Sequence, residues 1–231
     1  MLFPILAKIY SSVNNQVKWR NSIRITKNPE LRRRELIDIA EQLFLEKGYQ
    51  ETRVKDIVKK ADVAQGTFYY YFESKEAILD EITEKYIHII IESMEKISKQ
   101  DNLNALEKLV KIFQFSLSFR DDTRSIMRYV HDEKNFHLHR KFEQRIPVET
   151  VGPLAHIFKQ GIAEGIFDTK YPEDAAKAFN GISAMVLQGI DSADHNSNEF
   201  RMKFMAIFDF VERILGTESG TILNAFKIAQ K

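Results

Sequence analysis

Residues 52–72, which read TRVKDIVKKADVAQGTFYYYF, constrain the fold more than any other part of the chain. They contain two short helical patterns separated by a few residues that fit neither. In each pattern the apolar residues recur at three- or four-residue spacing, which predicts one buried face. Two short helices that cross steeply around a shared core form a helix-turn-helix, whose second helix can lie in a DNA major groove. The apolar positions are Val54, Ile57, Val58 and Ala61 in the first pattern, and Phe68 and Phe72 in the second.

The composition indicates a globular chain whose front end is the more basic part. None of the 231 residues is cysteine, which excludes disulfides, thiolate nucleophiles and Cys-based zinc sites and fits a reducing compartment. The net charge is +1, but residues 1–72 contain thirteen Lys and Arg against eight Asp and Glu. The remaining residues contain 21 basic and 25 acidic side chains, so the front is the part that suits a phosphate backbone.

The distribution of apolar residues gives no sign of a membrane span. No apolar run approaches the ~18 residues that cross a bilayer. The opening MLFPILAKIY has a lysine inside its apolar stretch and lacks the cleavage pattern of a signal peptide. We therefore expect a cytoplasmic protein without a membrane partner.

Helical periodicity extends over most of the chain, and no alternating strand pattern competes with it, which predicts an all-α fold. The first helix begins at Pro29 and ends near Lys47, where Gly48 suits a C-terminal residue with positive φ. Ser74 caps a long helix that runs to about Ser98. Further helical segments are predicted at residues 103–119, 123–131, 138–164 with Pro147 and Pro153 interrupting, 172–189 and 199–215.

These patterns predict three parts of the chain. Residues 1–28 carry five basic and no acidic side chains and form a flexible N-terminal arm that could add phosphate contacts. The alternative is a disordered leader, or a start codon placed too far upstream. Residues 29–73 form the helix-turn-helix DNA-binding domain, and residues 74–231 form the larger helical domain.

A register of small, aromatic and polar residues runs through residues 31–80. Its members are Ala40, Phe44, Gly48, Thr52, Val54, Ile57, Ala61, Val63, Gly66, Thr67, Phe68, Tyr69, Tyr71, Phe72, Ser74, Lys75 and Leu79. This spacing resembles the TetR family of transcriptional regulators. The resemblance implies an N-terminal three-helix helix-turn-helix DNA-binding domain plus a larger helical ligand-binding and dimerisation domain. One departure is Asp62, where the family commonly has Gly; Asp tolerates the left-handed conformation better than most residues.

The resemblance also implies which residues would bind DNA. Thr52 is expected to cap the second helix, and with Arg53 it lies where free backbone amides favour a phosphate. The expected base readers project from the third helix, while its other tyrosines and a lysine just beyond it are expected to bind phosphates. Gly66 would allow close backbone approach, or would only begin the helix. The base readers are Gln65, Thr67 and Tyr70, and the phosphate contacts are Tyr69, Tyr71 and Lys75.

Other side chains of this region are assigned to the protein itself or left open. Phe68 and Phe72 are expected to pack in the small core. Arg32, Arg33 and Arg34 form a basic cluster that either binds the DNA backbone or is a solvated face.

By the same resemblance, the larger domain is expected to form a homodimer and to bind a small-molecule effector. The dimer interface would use the last two long helices, with the small residues Ala175, Ala176, Gly181 and Ala184 and the stripe Phe204, Phe208, Val211 and Leu215. The alternative is a monomer that buries this stripe internally. The effector would be hydrophobic or amphipathic, because its candidate lining is mostly apolar. That lining is Tyr86, Ile90, Phe113, Leu117, Met127, Tyr129, Phe158, Phe179 and Met185, all of which could equally be plain core.

Two further readings of the chain are weaker. Histidines and carboxylates crowd residues 131–139, but they lack the spacing that places two metal ligands on one helix face, so no metal or cofactor is expected. No phosphate loop, nucleotide-binding glycine pattern or nucleophile elbow supports an enzyme.

Taken with the resemblance, the sequence predicts a ligand-responsive repressor bound to a palindromic operator of double-stranded DNA. The alternative is an architectural protein of the same fold whose helical domain binds a protein partner.

Overall fold

The computed structural model describes residues 28–131, 135–187 and 197–229, and within these ranges it contains helices and no strands. The all-α prediction is confirmed for this part of the chain. Among the described helices, none combines the length and apolarity that a bilayer crossing requires. In chain order the helices are α1 (Pro29–Lys47), α2 (Val54–Lys60), α3 (Gln65–Tyr71), α4 (Lys75–Ser98), α5 (Ala105–Val130), α6 (Phe136–Glu149), α7 (Val151–Ala163), α8 (Pro172–Leu187), α9 (Asn198–Leu215) and α10 (Thr221–Ile228).

The contacts divide the chain after Arg32, so that residues 33–231 form one compact unit. Of the first unit, only residues 28–32 are described, and they form the start of α1. The predicted arm therefore lies almost wholly outside the described residues. The predicted boundary between residues 73 and 74 stays a prediction.

One hydrophobic cluster of the second unit packs the helix-turn-helix against α4 and against the region where α5 ends and α6 begins. Phe44 and Phe68 are fully buried in it. The α4 helix contributes Ile78, Leu79 and Ile82, and Ile82 lies four residues after Ile78 and three after Leu79, which places the three on one side of the helix. The end of α5 therefore packs in the same core as the helix-turn-helix.

A second hydrophobic cluster fills the space between the first half of α5 and helices α7 to α10. Phe113 lies at its centre, with its ring centroid 4.7 Å from that of Phe208 and 5.7 Å from those of Phe179 and Phe204. Such offset and edge-to-face pairs add to the stabilisation that area burial alone provides. The larger domain is thus organised around an aromatic centre.

Two helix boundaries differ from the predictions. The segments predicted at 103–119 and 123–131 form the single helix α5, because the intervening residues contain no helix breaker. The segment predicted at 138–164 is divided at Thr150, which separates α6 from α7. Pro147 lies inside the last turn of α6, whereas Pro153 lies in the first turn of α7, where its missing N–H costs nothing.

The apolar stripe predicted for the dimer interface packs inside the subunit. Phe208, Val211 and Leu215 are at most 2% exposed, as the monomer alternative expected, because they face Phe113 and its neighbours. Ala175 and Ala176 are also buried, whereas Gly181 and Ala184 are exposed. The large apolar side chains that α8 and α9 do leave exposed are Met185, Met202, Met205 and Phe210.

Ion pairs join α4 to helices on two of its sides. Lys85 Nζ lies 2.6 Å from a Glu41 carboxylate oxygen and 3.0 Å from one of Asp38, both on α1. Burial alone would lower the pKa of Lys85, but these two carboxylates outweigh it and raise the pKa. Lys141 of α6 pairs with Asp80 of α4 at 2.6 Å. The α4 helix is therefore held by ion pairs to α1 and to α6.

Candidate nucleic-acid interface

The turn between α2 and α3 is closed by backbone contacts. The Val63 N–H donates to Val58 O at 3.0 Å, which draws the start of α3 back onto the end of α2. Asp62 has φ 52°, and among the described residues it alone combines a side chain beyond glycine with a positive φ. The expected departure at Asp62 is confirmed, because the turn keeps the left-handed conformation that glycine would favour.

Two phenylalanines fix α3 to its domain. Phe68 is fully buried and Phe72 is 3% exposed, and their ring centroids lie 5.6 Å apart. Both contribute to the core that they share with Val58 and Leu79. The prediction that these two residues serve the core is confirmed, and it fixes which face of α3 points outward.

The outward face of α3 carries most of the residues predicted to read DNA. Gln65 and Gly66 are exposed, and Tyr70 is 77% exposed. A Cβ atom at Gly66 would meet nothing within 4 Å, so the space inside the subunit does not require glycine there. Thr67 is half-buried. The face is therefore free to approach a groove, as its predicted role requires.

The tyrosines predicted to bind phosphate have different surroundings. Tyr69 is 52% exposed, and the edge of its ring packs against Phe68. Tyr71 is half-buried and packs against the core, with the Tyr70 ring at 4.9 Å and nearly perpendicular to it. Their proposed phosphate contacts stay predictions, and only Tyr69 presents most of its ring outward.

Thr52 does not cap α2, so that prediction is wrong. The capping position is Arg53, whose N–H donates to a carboxylate oxygen of Asp56 at 3.0 Å. Thr52 is fully buried, and its hydroxyl donates to Gly48 O at 2.8 Å and lies 3.3 Å from Leu43 O. Its side chain therefore stabilises the loop before α2, and its predicted phosphate contact stays a prediction.

The exposed surface around α2 is basic. Arg53 is exposed at the start of the helix, and Lys55 and Lys59 are exposed along it. The Arg53 N–H, together with neighbouring cations, lowers the pKa of Asp56. The sequence-based prediction assigned a DNA contact to Arg53 but not to Lys55 or Lys59, although the basic motif VKDIVKK contains both lysines.

Lys75 is hydrogen-bonded to the loop between α1 and α2. Its ammonium group donates to Tyr49 O at 2.7 Å and to Thr52 O at 2.8 Å, and it lies 4.0 Å from the Tyr49 ring centroid. These three contacts engage the ammonium group within the protein, and its predicted phosphate contact stays a prediction. The structural role of Tyr49 was not anticipated, because a tyrosine in a loop carries no periodic signal.

The arginine cluster at the start of α1 is divided in the structure. Arg33 pairs with Glu81 of α4, and its guanidinium lies 5.1 Å from the Phe72 ring centroid. Arg34 is exposed. Of these two residues, Arg33 is therefore engaged at the junction with α4, and Arg34 is open to solvent.

Comparison with known proteins identifies the chain. The family model described as "Bacterial regulatory proteins, tetR family" matches residues 36–82. The repressor KstR2 of Rhodococcus jostii (strain RHA1) is 40% identical over 81 residues, which are 34% of this chain and only 40% of that repressor. The fatty acid metabolism regulator protein of Bacillus subtilis (strain 168) is 33% identical over 134 residues, or 57% of this chain and 68% of that protein. The chain belongs to the TetR family.

A solved structure extends this TetR-family fold over most of the chain. It is the complex of triclosan with SmeT, the repressor of the Stenotrophomonas maltophilia multidrug efflux pump SmeDEF. The TM-score is 0.58 at 19% identity, covering 83% of this chain and 94% of that one. The named relatives are transcriptional regulators and not enzymes, as the sequence predicts.

The structure divides the effector residues predicted by TetR-family resemblance between the two hydrophobic clusters. Tyr86 and Met127 belong to the first cluster, and Tyr129 packs against it. Phe113, Phe158 and Phe179 belong to the second cluster, Leu117 packs against it, and Ile90 contacts both. Met185 is 72% exposed. The nine residues therefore do not surround one common space, and their role in binding stays a prediction.

The histidine-rich segment of this TetR-family chain is only partly described. The rings of His131 and His139 lie 4.7 Å apart, and His139 Nε2 lies 3.1 Å from a Glu143 carboxylate oxygen. Residues 132–134 lie outside the described residues. Where side chains are described, no group of three His, Asp or Glu residues converges on a metal position.

Proposed function

We propose that this TetR-family regulator acts in the cytoplasm as a homodimer on a palindromic operator of double-stranded DNA. It represses a promoter until a small hydrophobic effector releases it. The observation that carries the proposal is the division of α3, where Phe68 and Phe72 are buried while Gln65 and Tyr70 point outward. A short helix held by one face leaves its other face free for a groove.

The dimer follows from the small footprint of this face and from the apolar surface of α8 and α9. One recognition helix reads only a few base pairs, so two-fold symmetry doubles the specific contact. Met202 is 74% and Met185 is 72% exposed, and Met205 and Phe210 are also partly open. Exposed apolar side chains of this size are typical of protein interfaces.

The effector class is inferred from the apolar character of the larger domain. SmeT, whose fold is similar, binds triclosan.

The alternative is an architectural protein whose helical domain binds a protein partner, and one observation favours it. Phe113, Phe158 and Phe179 are buried and in ring contact with one another inside the second hydrophobic cluster, as a packed core without a bound ligand would be.

Selection of bound duplexes from random DNA, at one stated salt concentration, tests the DNA part of the proposal. A palindrome is expected, with half-sites about one helical turn apart. Enrichment of unpaired half-sites, or of no sequence at all, would contradict it.

Light scattering after size-exclusion chromatography tests the dimer. Wild-type protein is expected to run as a dimer, whereas Met202→Glu places a charge in the proposed interface and yields monomer. Tyr171→Glu is the matched control, because Tyr171 is 69% exposed and lies outside α8 and α9. Wild-type protein that runs only as a monomer would contradict the proposal.

Release of the selected duplex separates the two functions. We expect triclosan or another compound of a hydrophobic library to dissociate the complex and to raise the melting temperature of the free protein. If no compound does either, and a protein partner is captured by the DNA-bound form, the architectural alternative is favoured.

A further inference from the structure

Tyr49 lies where the helix-turn-helix meets the end of α5. It is 4% exposed, and its ring centroid lies 4.0 Å from that of Tyr129, with the two planes 35° apart. The Phe44 ring meets it edge-on at 5.0 Å, and Lys75 Nζ lies 4.0 Å from its centroid. Pairs of this kind are each favourable beyond area burial. One loop residue is therefore held by three separate helices.

The backbone of Tyr49 is tied into the same arrangement. Its carbonyl accepts hydrogen bonds from the Lys75 ammonium group at 2.7 Å and from the Thr52 N–H at 3.3 Å. Lys75 also bonds to Thr52 O, and the Thr52 hydroxyl donates to Gly48 O. Displacement of Tyr49 would directly disturb the two bonds that its carbonyl accepts, and the other two bonds belong to the same short loop. The α2 helix begins only two residues after Thr52.

We propose that Tyr49 is a positioning residue of the DNA interface, and that Tyr129 holds it there. Tyr129 belongs to α5, whose other end packs in the aromatic cluster of the larger domain. The contact between these two rings thus gives the larger domain a route to α2 and α3 that does not pass through α4. Tyr129 itself is held by Asn135, whose side-chain amide donates to Tyr129 O at 2.8 Å. The proposal rests on the proposed function where it concerns DNA, but the loop geometry concerns the free protein.

The surface beside the two rings leaves room for Tyr129 to move. An open groove of about 450 Å³ adjoins them, lined by Glu46, Lys47, Gly48, Gln50, Ser125 and Arg128. Tyr129 is only half-buried, whereas Tyr49 is almost fully buried. A shift of Tyr129 along the groove would remove one support of Tyr49 without opening the core around Phe44.

The test compares Tyr129→Leu with Tyr129→Phe and with Tyr171→Leu. The first removes the stacked ring, the second keeps it, and the third makes the same change at an exposed loop residue. Amide hydrogen exchange of the free proteins is measured for residues 48–57, with the amides around Phe113 as an internal reference. Affinity is measured for the duplex that wild-type protein selects from random DNA and for a scrambled duplex, at one salt concentration.

We expect Tyr129→Leu to accelerate exchange at residues 48–57 about tenfold, as the loss of one good aromatic pair allows, with the reference amides little changed. Affinity for the selected duplex should fall about fivefold or more, and affinity for the scrambled duplex much less, because phosphate contacts dominate there. Tyr129→Phe should recover most of both losses, and Tyr171→Leu should match wild type.

Unchanged exchange at residues 48–57 in Tyr129→Leu would overturn the proposal. Equal acceleration there and around Phe113 would also overturn it, because the ring would then contribute only to global stability. If wild-type protein selects no sequence, the proposed function fails, whereas the exchange comparison still decides whether Tyr129 holds the loop.

Discussion

The proposed recognition helix α3 exposes aromatic side chains, whereas the larger domain buries others in one cluster. On α3 the aromatic Tyr70 is 77% exposed, whereas Phe113 on α5 is 4% exposed. Phe204 and Phe208 each contact other rings besides Phe113, but α3 is held mainly by Phe68 and Phe72. On a helix with one buried face, the aromatic and polar residues that remain exposed mark a candidate recognition surface. Residues that would line a ligand site inside a core cannot be distinguished in this way, because they are apolar and buried like the rest of the core.

The largest expected effect lies in the aromatic cluster. Replacing Phe113 by Ala removes the ring that contacts Phe179, Phe204 and Phe208, and we expect unfolding to become easier by about 3 to 5 kcal/mol. Urea denaturation followed by circular dichroism measures the change. Tyr171→Ala, at an exposed position, is the control and should stay within ~0.5 kcal/mol of wild type. A loss below ~1 kcal/mol for Phe113→Ala would show that the buried aromatic cluster does not depend on Phe113, and the difference from the exposed aromatic residues of α3 would then not hold.

The next effect concerns carboxylates that accept backbone N–H groups at helix starts. Glu212 is 3% exposed and accepts from Gly220 at 2.6 Å and from Ile222 at 2.8 Å, at the start of α10. Glu212→Gln replaces an acceptor oxygen by a donor, and we expect a loss of about 1 to 3 kcal/mol in thermal or urea unfolding. Asp56→Asn, which affects one such bond at the surface of α2, should cost less. The reverse order would show that burial does not make the bonds of Glu212 more stabilising than the surface bond of Asp56.

Tyr70→Ala should affect recognition without affecting stability. Because the side chain is 77% exposed, we expect the free energy of unfolding to change by less than ~0.5 kcal/mol. Discrimination between the selected duplex and random DNA should fall by about 1 to 3 kcal/mol, as the loss of a base contact predicts. Fluorescence anisotropy with both duplexes measures this. Equal losses on the two duplexes would assign Tyr70 to the DNA backbone.

The smallest effect is expected at the turn before α3. Asp62 holds φ at 52°, so Asp62→Gly relieves a strained conformation, although glycine also makes the unfolded chain more flexible. We expect a gain of less than ~1 kcal/mol, whereas Asp62→Val should destabilise the protein because a β-branched residue resists positive φ. Differential scanning calorimetry of both variants tests the sign. Similar melting temperatures for the two variants would show that the turn bears no strain.

The sequence predicted the helix-turn-helix closely because its signals are local. Helical spacing, Gly48 at the end of α1, Ser74 at the start of α4 and the buried pair Phe68 and Phe72 each depend on neighbouring residues. The Ser74 hydroxyl accepts from the Ala77 N–H at 3.1 Å, as capping requires. Thr52 was misread because the same residue type can cap a helix or donate to loop carbonyls, and only the path of the loop decides which.

Features of the larger domain depend on contacts between distant residues, which helical spacing does not encode. The stripe from Phe204 to Leu215 has the period of a buried face, but the period alone does not say whether the subunit or its copy covers it. Phe113 and Tyr86 looked alike in the sequence, yet they pack in different clusters. Tyr49 and Tyr129 are 80 positions apart in the chain, and no local pattern predicted the contact between their rings.

The uninterrupted course of α5 gives it the properties of a lever. Phe113 near one end is enclosed by rings, whereas Tyr129 near the other end is half-buried. Sixteen residues separate them, which in an α-helix is a distance of about 24 Å. A rotation of only about 5° around Phe113 would therefore carry Tyr129 by about 2 Å, half the distance between its ring centroid and that of Tyr49. A tilt too small to open the aromatic centre would thus be enough to separate Tyr129 from the loop before α2.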